Sequence, residues 1–170
     1  MATNPNPARS RSTNRTRLQG NPTSAWERAS TSTTAQVDDV MSWHADVDST
    51  GRALEGGCVY ILHFDRSHQP PARGSWSLAM YDQRSLPVDN RLHRFSIGDR
   101  SELEFNVDGS LDIVVRSELA GPVRNVNWLP APASLFFLIL QIHGPLPEAL
   151  NGTWQPPPIR CVDRFTTPAF

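Results

Sequence analysis

The sequence predicts an all-β protein, a jelly-roll-like β-sandwich of short antiparallel strands behind a disordered N-terminal tail. Three observations carry that expectation. From Val40 onward, Gly, Pro, Asp and Asn punctuate short apolar stretches that show almost no helical period. Those stretches have strand length, and they either alternate or are apolar on both faces. The first forty residues are rich in Ser, Thr, Asn, Pro and Arg, with too little apolar surface to offset the entropy of ordering. The chain of 170 residues and 18.9 kDa has room for one domain with a sizeable core. We divide it into a tail over 1–40 and a sandwich over 41–165. Removing residues 1 to about 36 is then expected to leave the melting temperature unchanged.

Taken in order, Asp46 to Gly57 reads as turn. Cys58 to Asp65 reads as a central strand, with Tyr60, Leu62 and Phe64 on one face and Val59 and Ile61 on the other. Pro70-Pro71 makes His68 to Arg73 a loop. Ser75 to Asp82 alternates, with Trp76, Leu78 and Met80 inward, and Arg94 to Ile97 is a short strand. Glu102 to Arg116 reads as a hairpin. Its alternation pairs Phe105 with Leu111 and Leu103 with Ile113 if Val107-Asp108-Gly109 forms the loop, with Gly109 left-handed. Gly121 to Pro132 is a long connection. Leu135 to Ile142 is a second buried strand, Pro145 to Pro158 is loop, and Ile159 to Asp163 is a last short strand.

Charge narrows the function classes. Sixteen basic residues oppose 17 acidic ones, for a net charge of -1. No global field draws the chain to nucleic acid or to an anionic membrane. Every basic residue is Arg. The absence of lysine excludes a Schiff-base or pyridoxal lysine and a Walker A phosphate loop. Leu135 to Leu140 is the longest apolar run, far short of a membrane span. No secretory signal is visible, so a cytoplasmic location is expected. Cys58 and Cys161, with no CxxC and no zinc spacing, are expected to be free, buried thiols. No cofactor is implied.

Three blocks carry a family resemblance. The first is Trp76-Ser77-Leu78-Ala79-Met80-Tyr81-Asp82, with Val88-Asp89-Asn90 and Arg94-Phe95-Ser96-Ile97-Gly98-Asp99-Arg100 after it. The second is Asn106-Val107-Asp108-Gly109-Ser110-Leu111. The third is Asn127-Trp128-Leu129-Pro130-Ala131-Pro132, followed by Gly144-Pro145, Leu150-Asn151-Gly152-Thr153-Trp154 and Pro156-Pro157. In this order, from about Ala45 to Val162, the chain resembles the family called domain of unknown function 1214. The resemblance implies a jelly-roll type of sandwich and a larger partner half, domain of unknown function 1254, on the N-terminal side. The chain departs from the family pattern at Ala79, His93, Phe95, Gln141 and His143.

No residue is assigned a catalytic role, and no metal site is expected. Asp46 to Gly51 opens like a calcium loop, but Gly57 stands where a bidentate Glu is needed. The five histidines form no HExxH, and Ser77 sits in no nucleophile elbow. His63 reads as a satisfied sheet histidine. The ligand-binding candidates are Asp89, Asn90, Arg94, Asp99 and Arg100, a dense polar stretch, together with Asn127 and Trp128. As a site, the Arg forks would clamp an anion or sugar, and Trp128 would stack on a sugar ring while Asn127 binds hydroxyls. As structure, the same residues form an Arg–Asp network between loops, with Trp128 plugging one end of the sandwich. The expected function is a non-catalytic module that binds a glycan or polyol-like small molecule, or an assembly domain with a homo-oligomeric or 1254-type partner. The alternative is a hydrolase-like enzyme acting on a carbohydrate-linked or ester substrate.

Overall fold

The computed structural model describes residues 25–29, 40–117 and 126–164. Nine strands and one helical turn are assigned among these residues: β1 Glu27–Arg28, β2 Val40–Ala45, β3 Cys58–Phe64, β4 Ala72–Asp82, β5 Ser96–Gly98, β6 Leu111–Ser117, β7 Trp128–Ala131, β8 Phe136–Pro145, α1 Pro147–Leu150 and β9 Ile159–Arg164. They build two sheets, ordered β1-β2-β8-β4-β5 and β7-β6-β3-β9. All pairings are antiparallel except β6 with β7, which is parallel. The all-β sandwich is as the sequence predicts.

Period-two patterning explains the packing. On β3, Cys58, Tyr60, Leu62 and Phe64 face inward and are fully buried, while Val59 and Ile61 are half-buried on the outer face. On β8, Phe136, Leu138, Leu140 and Ile142 face inward to meet them. The two sheets touch edge-to-face at Tyr60 and Phe136, whose ring centroids lie 5.9 Å apart. The core is one cluster drawn from both sheets. Trp154 closes one end, 5.3 Å from Trp43, with its indole donating to the His68 carbonyl at 3.1 Å.

Four expectations need correction. Cys58 and Cys161 are joined in a disulfide, not free. Cross-strand neighbours of β3 and β9 are brought within bridging reach, with Cα atoms 6.0 Å apart, a proximity that residue spacing cannot reveal. The hairpin holds only at its tip. Asn106 and Ser110 flank the three-residue loop and Gly109 is left-handed at φ 84°, but 102–106 forms no strand. β6 takes its partners from β3 and β7 instead, because its inward residues Leu111, Ile113 and Val115 are buried on that sheet. Part of the predicted long connection is β7. Finally, residues 25–29 of the segment expected to be disordered pack on the sheet. Glu27 and Arg28 pair with His44 and Trp43, and Trp26 is buried with its indole donating to the Pro157 carbonyl at 2.8 Å. The remainder of that expectation falls on 1–24 and 30–39, outside the described residues.

Candidate functional site

Four of the seven candidate residues meet along the edge where β5 of one sheet lies beside β7 of the other. Arg94, just before β5, sends one guanidinium nitrogen to the carbonyls of Val126 and Trp128, at 2.9 and 2.8 Å. It is bonded to backbone rather than to Asp89, so it braces one sheet against the other. Asn127 is buried. Its amide accepts from the Glu104 N–H at 3.0 Å and donates to the Glu104 carbonyl at 2.6 Å, acting as a short strand for a segment that has none. The Trp128 indole is buried and donates to the Arg116 carbonyl at 3.1 Å. Asn90 closes its own loop, donating to the carbonyls of Val88 and Arg94 and accepting from the amides of Leu92 and Arg94.

The other three candidates stand apart. Asp99 accepts from the Trp76 amide at 3.1 Å and so fixes the end of β5 against β4. Gly98 beside it is required, because a Cβ there would run into the Trp76 carbonyl. Asp89 and Arg100 are exposed, and Asp89 lies 3.9 Å from His93. Within the 89–100 stretch, Asn90, Arg94 and Asp99 thus bond backbone groups, while Asp89 and Arg100 stay exposed.

Sequence reasoning passed over the apolar side chains on the same two connections. Leu86, Leu92 and Phe95, between β4 and β5, are exposed, as are Phe105 and Val107, between β5 and β6. The loops that carry them are held by short local bonds. Asp82 accepts from the amides of Arg84 and Leu86 at 2.8 and 2.9 Å, and these bonds keep its carboxyl below the ordinary range. Asp108 accepts the Ser110 hydroxyl at 2.6 Å and the Ser110 amide at 2.9 Å, and is lowered by them. Scanning loops for large apolar residues would have found the set.

Asp48, Asp112 and His63 are also engaged. Burial pushes the Asp48 carboxyl up, but bonds from the Thr50 hydroxyl and from the amides of Arg52 and Thr50 outweigh it and leave the group lowered. The loop that resembled a calcium site thus spends its one buried carboxylate on its own turn. Asp112 bonds His63 at 2.6 Å and the Asn106 amide at 2.8 Å, and the His63 imidazole is raised by that bond to Asp112. Among the described residues no group of His, Cys, Asp and Glu could hold a metal ion. A depression of about 490 Å³ lies between the 65–67 loop and the 108–110 turn, lined by Asp65, Arg66, Ser67, Asp108 and Ser110. No helix among the described residues is long and apolar enough to cross a membrane.

Comparison with known proteins places the chain in a family. The family described as "Protein of unknown function (DUF1214)" matches residues 39–147, and the chain belongs to it. Among solved structures it is similar to the VPA0106 protein from Vibrio parahaemolyticus, with 28% identity and a TM-score of 0.65 over 74% of this chain. An uncharacterized protein from Burkholderia cenocepacia aligns over 77% of this chain with 19% identity and a TM-score of 0.46. The chain spans only 31% of the length of either of those proteins. No curated protein matches it.

Proposed function

We propose that this member of the DUF1214 family is a non-catalytic assembly lobe that docks on a larger partner domain through the apolar loops beside β5. The observation that carries this reading is the exposure of Leu86, Leu92, Phe95, Phe105 and Val107 on loops pinned by Asp82, Asn90 and Asp108. Large apolar side chains on rigid loops lose little entropy on binding, which favours a docking role. The lobe's share of its structural relative, 31%, leaves most of that chain to supply such a partner. A domain of the 1254 type is the partner the reading names.

The glycan or polyol reading has less support, because the Asn127 amide and the Trp128 indole that would meet sugar hydroxyls are committed to backbone carbonyls and amides. A hydrolase would need a nucleophile or a carboxylate pair converging on one concavity, and the candidate residues do not converge in that way. The test is co-expression of the full chain with a 1254-type chain, followed by light scattering of the purified species. A one-to-one complex that Leu92→Glu and Phe105→Glu each abolish supports the assembly reading. A complex that both variants leave intact overturns it, as does saturable glycan binding by the wild-type chain.

A further inference from the structure

We propose that the Cys58–Cys161 disulfide is a redox latch: a small thiol reaches it at Cys161, and its reduction frees the second half of the edge strand β9. The proposal rests on where the bond sits. Cys58 is fully buried on β3, in the interior of its sheet, whereas Cys161 is half-buried on β9, which ends that sheet. The two halves of β9 are held differently. Ile159 is fully buried, and its carbonyl accepts from the Ser49 amide at 2.8 Å. Beyond Cys161, Val162, Asp163 and Arg164 are exposed, and the ladder to β3 shifts register between Val59 and Tyr60. The Arg164–Glu55 ion pair there is 3.7 Å long with both side chains more than 40% exposed, so it adds little. The covalent bond is the strongest tie on residues 161–164.

Cys161 also has an approach. It lines a cleft of about 180 Å³ between β9 and the 48–52 turn, together with Arg52, Arg164, Asp48, Thr50 and Asp163. The Asp48 and Asp163 carboxylates balance the two guanidiniums, and Arg164 also pairs with Glu55, so the cleft carries no net positive charge. Such a cleft admits a small thiol without selecting it by charge, and glutathione serves as the probe. Its thiolate attacks the Cys161 Sγ, the S–S bond breaks, and the Cys58 Sγ leaves as a thiolate and takes a proton. A second thiol then attacks the mixed disulfide, releasing oxidised glutathione and the Cys161 thiol. In an oxidising compartment the latch stays shut, and in a thiol-reduced cytoplasm it opens.

The full-length oxidised chain is exposed to millimolar reduced glutathione and, separately, to neutral 2-mercaptoethanol. Adducts are mapped by mass spectrometry and amide exchange is followed along the chain. Glutathione is expected on Cys161, with exchange rising at 161–164 and at the paired Cys58 and Val59, while 62–64 stays protected. 2-Mercaptoethanol should attack the same sulfur and raise exchange over the same residues. An adduct on Cys58 with either thiol, a disulfide that survives the treatment, or exchange rising across the whole sheet would each overturn the latch.

Discussion

The two lateral edges of the sandwich are closed by opposite chemistry. At the β1/β9 edge the closure is apolar and covalent: Trp26 inserts its indole beside Pro157, and the disulfide ties β9 to β3. At the β5/β7 edge the closure is polar: Arg94 bonds two carbonyls of the facing sheet, and Asn127 holds the Glu104 backbone. The difference follows from what each edge must satisfy. Next to β1, Trp43 and Trp154 offer an apolar wall for another ring. Next to β7, backbone groups of a segment without strand partners are turned inward, and burying them unbonded would cost about 1–3 kcal/mol each. A long side chain that ends in several donors meets that need where an apolar plug could not.

The largest expected effect tests the apolar edge. Trp26→Ala removes a buried ring and an indole hydrogen bond and should cost about 3–5 kcal/mol. Deleting residues 1–36 should therefore lower the melting temperature by about 10 degrees, contrary to the invariance expected of a tail without packing. A deletion that melts like the full chain would show that the β1/β9 edge is closed without Trp26.

The polar edge comes next. Arg94→Ala strips a charged donor from the Val126 and Trp128 carbonyls and should cost about 2–4 kcal/mol in equilibrium denaturation. Arg94→Lys should recover part of that loss, since one ammonium can reach only part of a fork's geometry. Arg100→Ala, at an exposed position in the same polar stretch, should lie within about 0.5 kcal/mol of wild type. If Arg94→Ala and Arg100→Ala were equally mild, the edge would not depend on the guanidinium.

A smaller effect should come from the loop that the polar edge clamps. Gly109 sits at φ 84°, and a Cβ there would come 2.9 Å from Cδ of Arg66. Gly109→Val should destabilise by about 1–3 kcal/mol, read as a shift of the denaturation midpoint. An unchanged midpoint would mean that the 102–110 connection is not held in the conformation that presents Phe105 and Val107.

The contrast between the edges also marks where sequence reading reached its limit. Strands with inward alternation were legible: β3, β4, β8 and β9 fall within a few residues of the expected spans, because burial on one face writes itself into residues two apart. β2 and β7 were missed for different reasons. Val40–Ala45 does alternate, with Met41, Trp43 and Ala45 buried between Ser42 and His44, but it is a short run beside a polar segment. Trp128–Ala131 is buried at all four positions and gives no period. The residue types at Arg94, Asn127 and Trp128 were visible, but their partners lie 12 to 34 residues away and are backbone atoms, which leave no pattern in a sequence. Trp26 was hidden by its polar neighbours. The disulfide joins cysteines 103 residues apart and depended on a strand pairing that spacing does not encode.

His63 supplies the smallest effect, and a control for the polar edge. Its bond to Asp112, at 2.6 Å, is shorter than either Arg94 bond, yet its side chain is 43% exposed. If length alone set the contribution, His63 would matter more than Arg94. If burial sets it, screening by solvent should hold the contribution below about 0.5 kcal/mol. The sign is fixed by the direction of the shift: the bond to Asp112 raises the folded-state pKa of the imidazole above its ordinary value of 6.5. The stabilisation is therefore fully present below that ordinary value and is lost as pH rises through the raised folded value. Melting temperature should fall slightly from pH 6 to pH 8.5 in wild type, and that part of the fall should vanish in His63→Asn. A large pH-dependent loss, comparable to that of Arg94→Ala, would show that exposed polar pairs support this sandwich as strongly as the buried brace, and the distinction between its edges would fail.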